Sequence, residues 1–152
     1  MKLNTLLAFL VGLVIGAIAN MGFSTRKTAR MMFFLQDMEL SQFGAFATEA
    51  YLNESPEVGI WDLTNHIKEV NRVLKERDNP NLYLVVPVQQ YLMEDHVRLA
   101  LLYEKTGENS KRQEHIEKAL EYYRSTHPDS EITEERLIEF VLKCDGESEP
   151  LE

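Results

Sequence analysis

This sequence predicts an all-α fold: one N-terminal transmembrane helix, then antiparallel helical hairpins closed by a C-terminal capping helix. Three observations carry that prediction. The first is an apolar stretch from Leu3 to Phe23, 21 residues long and interrupted only by Asn4, Thr5 and Asn20. The second is the return of apolar residues at intervals of three and four through the rest of the chain, the spacing of a helix face. The third is that no alternation of apolar and polar residues runs long enough to build a sheet. At 152 residues, 44% hydrophobic and 27% charged, the composition suits one globular unit, neither a disordered polyelectrolyte nor a multi-span membrane protein. The single cysteine, Cys144, excludes a disulfide framework and a cysteine-based zinc site.

The N-terminal stretch comes first. At about 1.5 Å per helical residue it reaches roughly 30 Å, the thickness of a bilayer core. The competing reading is a cleaved signal peptide over residues 1–19, with Lys2 as the charged region and Ala17-Ile18-Ala19 as the cleavage site. Two points favour a retained anchor over 3–23. Positive charge just past the run, at Arg26, Lys27 and Arg30, resists translocation. Apolar character also continues beyond Ala19 through Met21 and Phe23. The basic collar, residues 24–30, outweighs the positive charge before the span by about one, which places the large domain in the cytoplasm of a single-pass membrane protein. The alternative location, after cleavage, is periplasmic or secreted. Within the span, Ala8, Gly12, Gly16 and Asn20 recur every four residues on one face, where small side chains admit a second helix.

Beyond the collar the expectation is a helical domain over 31–144 and an acidic flexible tail over 145–152. The first helix runs from about Lys27 to Asn53. It opens on Met31, Met32, Phe33 and Phe34, an adaptable apolar surface suited to a partner. Leu35, Met38, Phe43, Phe46 and Ala50 continue a stripe read as the core of a hairpin. Ser55 as N-cap and Pro56 at the first helical position start the second helix. Its packing seam is read as Ile60, Leu63, Ile67, Val70 and Leu74, with Trp61 beside it as a core or hairpin contact. Leu82 to Val86 is read as an extended linker, because Pro87 interrupts it. A third helix follows from about Pro87 to Thr106 and a fourth from about Ser110 to Ser125. A final helix begins at Thr133 as N-cap, with Ile132 and Leu137 forming a hydrophobic staple, and ends at Lys143. Its residues Leu137, Ile138, Val141 and Leu142 are expected to cover the hairpin before it.

Leu99-Ala100, Tyr103, Gly107, Ile116, Ala119 and Leu120 have the relative spacing of a tetratricopeptide repeat. The segment 92–125 resembles one such repeat, with Gly107 as the turn. It departs from the family where a small residue is usual, here Arg112, and where a large apolar residue is usual, here His96; Pro128 falls about four positions late. The resemblance implies protein or peptide binding.

Chemistry is sparse. His66, His96, His115 and His127 lack the spacing of a zinc-protease helix, and the isolated glycines form no phosphate loop, so no metal, cofactor or small-molecule substrate is inferred. The first 30 residues hold four of the 16 basic side chains and none of the 25 acidic ones, leaving 12 against 25, or −13, in residues 31–152. So acidic a body disfavours nucleic acid. The reading is a membrane-anchored adaptor or accessory subunit, not an enzyme, with a protein partner or a second copy completing its surface. An enzyme would instead need His96 or His115 to converge with at least two carboxylates.

Overall fold

The computed structural model describes residues 31–76 and 88–146, and these are all α, with no strand among them. The predicted span over 3–23, its alternative as a leader over 1–19, the collar 24–30 and the linker 82–86 lie outside the described residues. Among those that are described, no helix is long and apolar enough to cross a membrane.

The chain divides into two compact units, residues 1–36 and 37–152. Of the first, residues 31–36 are described and are helical. In the second, α1 (37–53) is followed by α2 (Pro56–Glu76), α3 (Val88–Lys105), α4 (Asn109–Thr126) and α5 (Glu134–Asp145).

Helix α3 is the central element. It packs on α2, α4 and α5, and Leu92, Met93, Val97, Leu99, Ala100 and Leu102 are all buried. Toward α1 and α2, Leu99 and Leu102 meet Ala47, Tyr51 and Leu63. Toward α5, Met93 and Val97 meet Ala119, Leu137 and Val141. Enclosed on so many sides, the middle of the helix buries its polar residues too, and Asp95, His96 and Arg98 lie among the apolar ones.

The turn from α3 to α4 follows from one glycine. Gly107 has φ +76, in the left-handed region where a Cβ is disfavoured. Its N–H donates to the Glu104 carbonyl, and that of Glu108 donates to the Tyr103 carbonyl. This pair of bonds is the Schellman closure of a helix end. It returns α4 antiparallel to α3, and Ala119, with no exposure, lies at their contact with α5.

The seam of α2 is rotated by about one residue from its expected place. The buried positions are Gly59, Leu63, His66, Val70 and Val73, while Ile60, Ile67 and Leu74 are half-buried at its edge. The rotation follows from Gly59: a Cβ there would lie 2.9 Å from Leu102 Cδ1 and 3.4 Å from the Tyr51 Cα. Absence of a side chain lets α2 approach α1 and α3 closely, so Gly59 faces inward.

A second correction concerns the C-terminus. Helix α5 runs two residues past Lys143, to Asp145, because the Asp145 carboxylate is held by Arg98. Asp145 therefore belongs to the core and not to the tail, whose residues 147–152 lie outside the described ones. At the other end of α5, Thr133 is the N-cap and its hydroxyl accepts the Arg136 N–H. Leu137 is buried, with Ile132 packed against the same cluster. Thr133→Ala is expected to lower stability by about 1 kcal/mol, read as a shift in the urea midpoint with an unchanged slope.

Candidate docking surface

The outward face of α1 and α2 carries the aromatic residues that the core does not. On α1, Leu40, Ala47, Ala50 and Tyr51 are buried, whereas Met38, Phe43 and Phe46 are exposed. The stripe expected to be core is thus reversed over most of its length. Gly44 lies on the inward side, where its ideal Cβ position is 3.1 Å from His66 Cε1. The small face of α1 makes the close approach and leaves the bulky face outside. Trp61, expected to be a core or hairpin contact, is 67% exposed, and Phe46 is 70% exposed.

These side chains share a site. Phe43, Phe46 and Trp61 line a depression of about 440 Å³ with Ala47, Asp62 and Asn65. On its other side, Trp61 borders a second depression of about 370 Å³, which Tyr103, Lys68 and Lys111 help to line. Large apolar groups in one contiguous exposed patch mark an interaction site more often than scattered ones do. On helix geometry, Glu39 stands four residues before Phe43 on the same face, and Glu57 four before Trp61. The Glu57 carboxyl is held below its usual range by its own backbone N–H and then by the Ser55 hydroxyl, so it stays ionised.

Beneath this surface lies a polar cluster inside the core. His66 Nδ1 is 2.6 Å from Asp95 Oδ2, both side chains 1% exposed. The Arg98 guanidinium donates to both oxygens of Asp145, Nε at 3.0 Å and Nη2 at 2.5 Å, and Nη1 donates to Asp95 at 3.5 Å. The cluster ties α2, α3 and α5 together. The Glu94 carboxyl beside it is raised by burial. His66 Nε2 is buried without a hydrogen-bond partner, and the ring packs edge-on to Tyr91.

A second polar cluster joins α3 to α4. His96 Nδ1 and His115 Nδ1 are 2.7 Å apart, and Tyr122 stacks on His96 as Tyr103 stacks on His115. Burial, then the neighbouring His115, holds His96 down at about 3. The two histidines meet each other and the tyrosines, while Asp95, Glu94 and Asp145 gather around Arg98. Among the described residues no group of three or more His, Cys, Asp and Glu is placed to hold a metal ion.

Of the site residues expected from sequence, Ala8, Gly12, Gly16, Asn20, Arg26, Lys27 and Arg30 lie outside the described residues. Met31, Met32 and Phe34 are exposed and Phe33 is half-buried. Sequence reasoning missed the His66–Asp95–Arg98–Asp145 cluster and the histidine pair. The second had a signal: His96 and Tyr103, like His115 and Tyr122, are seven residues apart, two turns on one helix face.

Comparison with known protein families, curated proteins and solved structures finds nothing that matches this chain.

Proposed function

We propose that this chain is a membrane-anchored helical adaptor, a single-pass protein whose cytoplasmic helices hold a protein partner close to the bilayer. The observation that carries this reading is the pairing of Phe46 and Trp61, both more than half exposed, in one depression. A monomer gains nothing in stability from aromatic side chains left in water, whereas aromatics at the centre of an interface supply much of its binding energy. Two further features support the reading. The hairpin of α3 and α4, with its Gly107 turn, is tetratricopeptide-like in spacing. Met31, Met32 and Phe34, which follow the collar directly in sequence, add exposed apolar surface.

The role proposed is binding, not catalysis. The anchor contributes through Gly12 and Gly16, whose face lets another helix approach. Native co-purification of the full chain in mild detergent tests the reading. Phe46→Glu is expected to reduce recovery of the partner by about tenfold or more, since a charge would have to be desolvated in the contact. Circular dichroism should be unchanged, because Phe46 is exposed. A chain that purifies alone and monomeric, with or without this substitution, would defeat the adaptor reading.

A further inference from the structure

We infer that the partner docks on the Phe43, Phe46 and Trp61 face through a cationic amphipathic segment, its apolar side chains seated among the aromatics and its lysines or arginines on the rim. The inference rests on the adaptor reading and adds the chemistry of the partner.

Charge decides it. From residue 37 to residue 67 the chain holds six carboxylates, Asp37, Glu39, Glu49, Glu54, Glu57 and Asp62, and no lysine or arginine. All but Asp37 are exposed or half-buried. On α1, Glu39 and Glu49 bracket Phe43 and Phe46 at four and three residues along one face. On α2, Glu57 is one turn before Trp61, and Asp62 lines the depression itself. Of the cations near this surface, Lys68 donates at 3.4 Å to Asn65, which lines the depression, and Lys111 is paired with Glu108. Six carboxylates in residues 37–67 against Lys68 at its edge leave the aromatic depression in a net negative field.

Three occupants can be compared on that basis. A second copy docked face to face would set this acidic stretch against itself, which costs affinity. An anionic bilayer surface is repelled for the same reason. A segment with aliphatic or aromatic residues on one face and Lys or Arg on the other satisfies both the apolar floor and the acidic rim. It is the helix-in-groove mode of recognition with the charge sign fixed.

The chain supplies its own probe, because Trp61 is the only tryptophan in 152 residues. The full chain in phosphatidylcholine nanodiscs is titrated with two 18-residue helical peptides that share a Leu/Phe face. One carries lysine and arginine on its polar face and the other glutamate. The cationic peptide is expected to shift the tryptophan emission to the blue, saturably, with an affinity at least about tenfold above that of the acidic one. The triple variant Glu39→Gln, Glu49→Gln, Asp62→Asn should weaken cationic binding several-fold. Glu114→Gln, Glu117→Gln, Glu121→Gln, an equal change of net charge on α4, should not. Phe46→Ser should abolish the shift.

Equal affinity for both peptides, or equal effects of the two triple variants, would overturn the inference. So would a blue shift produced by anionic vesicles alone, or by raising the chain's own concentration. Co-purification of the native partner that is lost in Phe46→Glu but unaffected by the rim triple variant would leave the adaptor standing and remove only its cationic partner.

Discussion

Replacing Arg98 by methionine is expected to destabilise the domain by about 3–5 kcal/mol, the effect of leaving buried carboxylates without their cation. Methionine fills much of the space of the arginine stem, so the loss would be electrostatic and not a cavity. In the native protein Arg98 spans Asp95 and Asp145, whose side chains are each 1% exposed, and lies 3.6 Å from Glu94. Without the guanidinium, three neighbouring carboxyls would share a poorly hydrated space. The Glu94 carboxyl is already raised by burial, with Arg98 pulling the other way. Adding Asp145→Asn to Arg98→Met should recover part of the loss by removing one uncompensated charge, and the deviation from additivity measures the coupling. Urea unfolding followed by circular dichroism reads the change. Hydrogen exchange should show α5 losing protection first, because Asp145 is its polar tie to α3. A loss below about 1 kcal/mol would mean that water reaches the cluster and screens it.

The residues of this cluster also show where sequence reasoning stops. Apolar periodicity, with the cap and turn residues beside it, located both ends of α4 and α5, the start of α2 and the end of α3 to within two residues, because it tracks the faces that must leave water. It could not locate His66, Asp95 and Arg98, since a period counted on apolar residues treats every polar one as solvent-facing. The result was an α2 seam drawn one residue away from its true line, which contains Gly59 and His66. Local signals fared better where their physics is local. Gly107 turns the chain because of its positive φ, and Thr133 caps α5 with its own hydroxyl. The aromatics of α1 went the other way: Phe43 and Phe46 carry the apolar signal, yet Leu40, Ala47 and Tyr51 fill the core. Hydrophobicity alone does not separate a core face from an interface face, and the small residues Gly44 and Ala47 decide it by permitting close packing.

Lowering the pH from 7 to 5 is expected to cost the domain about 2 kcal/mol through His96 alone. The Nδ1 atoms of His96 and His115 face each other at 2.7 Å, so one ring must donate and the other accept. In the neutral pair one ring carries its proton on Nδ1 and the other on Nε2. A doubly protonated pair would aim two N–H groups at each other. Burial holds both histidines down, and His96 titrates at about 3. Nearby Lys118 acts in the same direction and Glu114 opposes it. In the unfolded chain the same ring titrates near 6.5. Between those values the unfolded state binds more protons, so stability is complete above about pH 6.5 and falls as the solution is acidified, by up to about 1.4 kcal/mol per unit. Glu94, raised by burial, works in the opposite sense and moderates the decline at the acid end. The test is the urea midpoint measured from pH 7.5 to 5 for the native chain and for His96→Gln, His115→Gln, in which one amide donates to the other and neither side chain titrates. The native midpoint should fall steeply below pH 6.5 while the variant's profile stays nearly flat. Parallel profiles would show that the histidine pair is not what couples the packing of α3 and α4 to protons.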